Sequence, residues 1–584
     1  MKILSNIYKK AVLSATVVFG LLASSCTDYL TIIPADIVVE ENFWQTKDHV
    51  NGMLATSYLK LLDKEAVKRA IVWGELRGES LSYSSSKNKE IVDIVEANIS
   101  DDNSFCQWGI YYEAINYANL VLLRAPQVLE RDPDFSEGDL RVVQGEMYAM
   151  RALCHFYLVR AFRDIPMALE AAINDSEIPE YKQVKNPLEA LNIIMSDLDK
   201  AENMVMKSGA FPKEQQNYGR ITRDAVLAMK ADVNLWRAAF ATYYAGKTYD
   251  KVYSEGKVTV SADDAQRYYD ECVQNCDSLL ANMDEAYNSK KESSSIEYPY
   301  NLIQNEGDET DKKELMKSTV YDAIFGTKNS RESIFELQVQ GDNVTNGRFN
   351  GALSLFGTEG SKGVVCVSPY FIKSEDVGYV EDDLRRYSFT TYIKNPPADV
   401  TEFSVAKYTA KESPAKNFRK SDDCDANWIV YRKTDVLLMK AEAMVARPNS
   451  NEEDYAESFK IVNAINTRSR MDTVPGNIRF PLKYEQYNNR NDAIKLVRKE
   501  RLLELAFEGK RWFDLVRLAL REEGGVKNVQ YVANKLETNQ SVVKARLSSI
   551  DVLFFPIHID ELRYNKNLKQ NPAYNEDGSS SEMN

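Results

Sequence analysis

Histidine is nearly missing from this chain: His49, His155 and His558 are the only three in 584 residues. A metal or acid–base centre built on imidazole has few parts to draw on, and no cofactor or metal site is read from the residue pattern. Cysteine is also sparse. Cys26, Cys106, Cys154, Cys272, Cys276, Cys366 and Cys424 follow no disulfide-framework or zinc-ribbon spacing. Cys272 and Cys276 lie one helical turn apart and could share a ligand or oxidise together, but small buried thiols are the simpler reading. Positive charge is in deficit, with a net charge of −14 and a pI near 5.1. That balance repels phosphate backbones and leaves no global electrostatic case for nucleic acid. After residue 26 no stretch approaches 18 uncharged apolar residues, so nothing beyond the N-terminus suits a membrane-spanning helix.

What is present argues for a large globular body. Hydrophobic residues make up 44% of the chain and charged ones 27%, enough for one substantial core or two or three sub-cores. Tyrosine is abundant at 33 residues; its flat face and hydroxyl suit both helix packing and sugar recognition. At the N-terminus, Lys2, Lys9 and Lys10 precede an apolar run from Ala11 to Ala23, closed by Leu22-Ala-Ser-Ser-Cys26. This predicts a signal peptide over 1–25, with Cys26 acylated by chains such as palmitate to become a lipid anchor. Leu22 sits one residue earlier than a lipobox usually places it. An ordinary secretory signal that merely contains a cysteine is the other reading.

Periodic apolar stripes predict helices in pairs. Trp108 to Leu123 is followed by Gln144 to Phe162, across a loop expected to hold Pro126, Pro133 and Gly138. Leu188 to Met206 is followed by Thr222 to Thr242, with Thr222 as cap. Arg432 to Ala446 is followed by Tyr455 to Arg468, and Ala493 to Glu508, with Gly509 as its cap, by Trp512 to Leu520. Such pairs look like degenerate tetratricopeptide-type repeats, so the fold is read as mainly α, a helical-repeat scaffold. Between about 285 and 427 the pattern gives way to Gly, Asn, Ser, Pro and isolated aromatics, which predicts an inserted loop-rich, partly β subdomain. The expected organisation is a signal peptide over 1–25, an N-terminal helical-repeat region over 26–284, the insertion over 285–427 on the ligand side, and C-terminal helical pairs over 428–584.

Two C-terminal strings are distinctive: Arg498-Lys-Glu-Arg-Leu-Leu-Glu-Leu-Ala-Phe-Glu-Gly-Lys-Arg-Trp-Phe-Asp-Leu-Val-Arg517, and Phe555-Pro-Ile-His558 followed by Asn567-Leu-Lys-Gln-Asn-Pro-Ala-Tyr574. With Tyr431 to Ala443, Arg151 to Pro166 and Trp108 to Asn119, they resemble the SusD/RagB family, from the lipobox to Tyr574. His558 and Ala573 stand where the family usually has Pro and Gly. The resemblance implies a SusD-like, non-enzymatic lipoprotein on the Bacteroidetes outer membrane. It would bind oligosaccharide or another nutrient and partner a SusC-like TonB-dependent transporter within a polysaccharide-utilisation system.

The charged block from Arg498 to Arg517 places Glu500, Glu504 and Glu508 on one helical face beside Arg501 and Arg511. Paired carboxylates serve glycoside hydrolysis, but Glu and Arg at spacings of three and four more simply make ion pairs or a packed network, and Glu442 and Asp435 read the same way. For ligand binding, an aromatic platform with side chains that grip paired hydroxyls is required. Trp73, Arg77, Glu79 and Tyr83, near Gly74 and Gly78, meet that need; the alternative makes Trp73 core and Arg77 a surface partner of Glu79. Asn103 is a second candidate, unless its stretch only caps the next helix. Tyr298 and Tyr300 are a third, with Phe349 and Phe356 behind them. A surface glycan-degrading enzyme, or an adhesin for peptide or host protein on the same scaffold, stand as alternative functions.

Overall fold

The computed structural model describes residues 43–173, 181–290, 298–304, 319–339, 351–358, 361–374, 376–392, 403–410, 419, 425–470 and 481–575. The signal peptide, Cys26 and Phe349 lie outside the described residues. The architecture is mostly helical.

Eleven helices carry the scaffold: α1 (Lys47–Leu62), α2 (Lys64–Ile71), α3 (Gly109–Leu129), α4 (Glu137–Phe162), α5 (Pro187–Met204), α6 (Arg223–Tyr243), α7 (Asp264–Asn288), α8 (Lys433–Ala446), α9 (Glu452–Arg468), α10 (Arg490–Leu505) and α11 (Arg511–Arg521). Neighbours in sequence pack in space from α3 through α10, each helix burying one face on the next, as repeat scaffolds do. Starts are set locally. Thr222 caps α6 by accepting the Ala225 N–H, and Ser136 with Asp139 forms a capping box on α4.

Two expectations need correction. Pro126 is inside α3 and Gly138 inside the first turn of α4, so of the three residues expected in the loop only Pro133 lies there. Pro126 sits in the last turn, where the missing N–H removes one hydrogen bond, and the buried Ala125 and Val128 beside it keep the turn packed. Helix α7 has no place among the predicted pairs because its buried stripe runs through Tyr268, Tyr269, Cys272 and Cys276, residues that do not read as a core face. It packs between α6 and α8 and so continues the helical series, although residues 289–432 separate α7 from α8 in sequence.

The strands are short: β1 (Leu81–Tyr83), β2 (Ser333–Leu337), β3 (Val365–Val367), β4 (Thr390–Tyr392), β5 (Phe403–Val405) and β6 (Trp428–Arg432). The largest sheet is antiparallel in the order β1-β3-β5-β4, so one edge strand comes from residues 81–83 and the other three strands from residues 365–405. Tyr83 lies opposite Val365 in that register. Strand β6 pairs with β2 and leads into α8. One core cluster runs from Trp44 to Leu568, and a second gathers α8, α9, α10 and Leu302.

No helix among the described residues is long and apolar enough to cross a membrane.

Candidate functional site

The segment between α2 and β1 decides where the sequence candidates point. Helix α2 runs into a widened π-helical turn, Val72–Leu76, all of it buried. Trp73 is fully buried; its indole N–H donates to the Phe105 carbonyl at 2.8 Å, and its ring meets Tyr111 and Phe162 at 5.2 and 5.3 Å. It presents no face to solvent, so the expected sugar platform at this position is corrected to core. Arg77 turns inward as well. Its guanidinium donates to the carbonyls of Val552 and Leu553 and lies 4.3 Å from the Trp512 ring centre, and burial lowers its pKa.

Glu79 is buried in a two-point ion pair with Arg511, and Tyr531 donates its hydroxyl to the same carboxylate at 2.7 Å. The Arg77–Glu79 surface pair is therefore not formed. Burial pushes the Glu79 carboxyl up, but Arg511 more than offsets it, and the net pKa lies below the usual carboxylate range. Asn103 is buried too: its side-chain carbonyl accepts the Phe105 N–H and its amide donates to the Glu90 carbonyl, the capping role in place of a ligand contact.

Tyr83 is different. It ends β1 at the sheet edge, half-buried, with its neighbour Ser84 bonded through N–H to the carbonyl of Val364, itself an exposed hydrophobic residue. Burial against this edge raises the Tyr83 pKa. Tyr298 is 38% exposed, whereas Tyr300 donates its hydroxyl to Glu457 on α9 and packs on the second core cluster. The structure does not join Tyr300 to the Tyr83 edge. Phe356 is buried.

Two residues missed by sequence reasoning hold this segment. The buried Glu75 carboxylate accepts main-chain N–H bonds from Phe507, Lys510 and Arg511 and the Ser80 hydroxyl. Burial nevertheless raises its pKa. The ammonium of Lys535 donates to the carbonyls of Leu76, Gly78 and Leu81 at 2.6 to 3.0 Å, and burial pulls its pKa down to about 7. Gly74 lies so close to the loop before α11 that an added Cβ would sit 1.8 Å from the Gly509 carbonyl oxygen.

A cavity of about 670 Å³ opens beside Glu79, between residues 370–383 and α10. Its carboxylates are mostly committed to arginines. Glu79 belongs to Arg511, while Glu500 and Asp383 both bind Arg385 behind the wall. A second cavity of about 510 Å³ lies between α1 and Arg220 with a largely apolar lining.

The charged block itself is structural. Glu504, fully buried, accepts from Arg432 at 2.8 Å, Arg468 at 2.7 Å and Arg385 at 3.2 Å, which outweighs desolvation and holds its pKa well below the ordinary value. Arg501 joins Asp435, Glu442 and Asp514, tying α8, α10 and α11 together. Among the described residues, no group of three or more His, Cys, Asp or Glu is placed to hold a metal ion.

Comparison with known proteins gives a consistent result. A family model described as "SusD family" matches residues 206–574, and one described as "Starch-binding associating with outer membrane" matches residues 38–235. The chain is similar to SusD-like protein P38 of Formosa agariphila, 24% identical over 512 residues that cover 85% of this chain and 88% of that protein. SusD-like protein P2 of the same organism is 24% identical over 87% of this chain and 90% of its own length. In fold, it is similar to a SusD homolog from Bacteroides thetaiotaomicron, with a TM-score of 0.65 and 20% identity over 91% of this chain and 98% of that one. NanU of B. fragilis superposes with a TM-score of 0.62 at 16% identity, over 93% of this chain and all of that one.

Proposed function

Because the chain belongs to the SusD family, we propose that it is a lipoprotein of the outer membrane, exposed at the cell surface, that binds oligosaccharide and passes it to a SusC-like TonB-dependent transporter. The observation that carries the binding part is the contrast along one segment. Trp73, Arg77 and Glu79 are locked into the core, and Tyr83, four residues beyond Glu79, is left with part of its ring available on a sheet edge. A rigid frame holding a half-exposed aromatic is what recognition of a sugar face requires.

The carboxylates favour binding over hydrolysis. A glycosidase needs a general acid with a raised pKa close to a second carboxylate. In the larger cavity Glu79 has the opposite shift, and Glu500 and Asp383 are each held by Arg385. The membrane part rests on Cys26 and the basic, apolar stretch before it. Several acyl chains, at about 0.8 kcal/mol per buried CH₂, make a lasting anchor.

The test is calorimetry of the mature chain (26–584) against a glycan panel, with growth of a deletion strain on the same glycans. Binding abolished by Tyr83→Ala, and growth lost on deletion, support the proposal. A chain that binds no glycan and whose deletion leaves uptake intact overturns it. Sugar release by the protein alone returns the enzyme alternative.

A further inference from the structure

The cavity beside Glu79 contains an arginine that no side chain pairs among the described residues. Arg498, half-buried on α10, lines it, and its guanidinium makes no ion pair or hydrogen bond among the described residues. Every other arginine on the wall is committed, Arg511 to Glu79 and Arg470 to Asp382. Next to Arg498, the Lys499 ammonium donates to the carbonyls of Asp376 and Gly378 at the cavity mouth. Partial burial lowers the pKa of Arg498 and brings Lys499 down to about 8, so both cations are poorly hydrated. The free carboxylate on the wall, Asp376, is exposed at the rim where water screens it. Half-buried Tyr370 and Tyr487 supply flat apolar walls.

A guanidinium that no carboxylate pairs among the described residues, in a cavity lined by charged side chains and flanked by aromatic rings, matches a sugar that carries an anion. We propose that this cavity is a subsite for an acidic sugar residue, one bearing a carboxylate or a sulfate ester, with Arg498 as its principal charge partner. The inference rests on the glycan-binding reading and narrows it to a substrate class. The net charge of −14 makes the local cation more telling, since the protein as a whole repels such a ligand and the site itself must supply the attraction. Glu79, on the cavity wall, lies within about 14 Å of chain from Tyr83, so one extended oligosaccharide can engage both.

The experiment is calorimetry at pH 7 with three probes, a galacturonic acid tetrasaccharide, a 6-sulfated galactose tetrasaccharide and neutral maltotetraose, in low and high salt. Wild type, Arg498→Gln and Tyr83→Ala are compared, with unfolding midpoints to confirm folding. One or both anionic probes bind, weaken with salt, and lose about tenfold or more in affinity in Arg498→Gln, as loss of a charged hydrogen bond implies. Maltotetraose affinity, where measurable, is the same in Arg498→Gln and wild type. Which anionic probe binds separates carboxylate from sulfate. Anionic probes held equally well by Arg498→Gln, or binding confined to maltotetraose, overturn the subsite and leave the glycan-binding reading intact. Absence of binding to all three by a folded wild type removes the subsite, and the wider glycan panel then decides the reading beneath it.

Discussion

Glu79 and Arg511 stand 432 positions apart in the chain and meet in a buried two-point ion pair, Nη2 to Oε1 at 2.5 Å and Nε to Oε2 at 3.0 Å. Removing one partner leaves the other charged and out of water. Glu79→Ala is expected to cost about 3–5 kcal/mol, read as a lower urea midpoint. Because the folded carboxyl has a depressed pKa, its contribution is complete above the unfolded value of about 4.3 and is lost as pH falls through the lower folded value. The wild-type and variant midpoints should therefore converge only in acid. Equal midpoints at pH 7 would show that the pair is dispensable.

His155 predicts an earlier acid effect of a different origin. Its Nδ1–H donates to the Arg151 carbonyl, its Nε2 accepts the Ala168 N–H, and burial with Arg151 nearby lowers its pKa to about 3. Between about 6.5 and 3 the unfolded chain binds a proton that the folded one does not, so stability declines as pH falls through that window, by about 1.4 kcal/mol per pH unit. His155→Gln should be less stable at pH 7 but show a shallower pH slope. An unchanged slope would place the titration elsewhere.

Trp73 and Tyr83 should separate stability from recognition. Trp73→Ala empties a buried site and is expected to cost about 3–5 kcal/mol without a selective effect on affinity in the folded fraction. Tyr83→Ala should shift the midpoint little and weaken glycan binding about tenfold. The opposite pattern would remove Tyr83 from the binding surface.

If Cys26 carries the proposed lipid anchor, Cys26→Ala should match wild type in glycan affinity in solution while uptake by cells falls. Fractionation should find the variant released from membranes. Uptake that survives release would make the anchor incidental.

The helices were largely legible because their information is local: stripes at three- and four-residue spacing and caps such as Thr222 lie within one turn of what they control. The segment 72–83 was misread for the opposite reason. Gly74 and Gly78 suggest an open loop, yet they are small to admit neighbours; a Cβ on Gly74 would strike Gly509, and one on Gly78 would press on Arg511 at 3.0 Å. Nothing nearby in sequence reveals those partners. Glu75, two residues from Trp73, draws its meaning from three amides more than 430 residues away. Arg498 is written in the sequence as one basic residue among many, and only the cavity distinguishes it.

The meeting of Glu75 with the amides of Phe507, Lys510 and Arg511 also sets an order of events. Apart from Phe105 and strand β3, segment 72–83 finds its polar partners in residues 507–511, 531, 535 and 552–553, so an early part of the chain waits for one of the last to be synthesised. Until then the carboxylates of Glu75 and Glu79, the Arg77 guanidinium and the carbonyls of Leu76, Gly78 and Leu81 lack their late partners. A chain with this wiring closes its N-terminal part only after residues 507–553 have been made. Chains truncated before Phe507 should remain protease-sensitive through residues 43–83, whereas chains ending at Asn575 should be protected there.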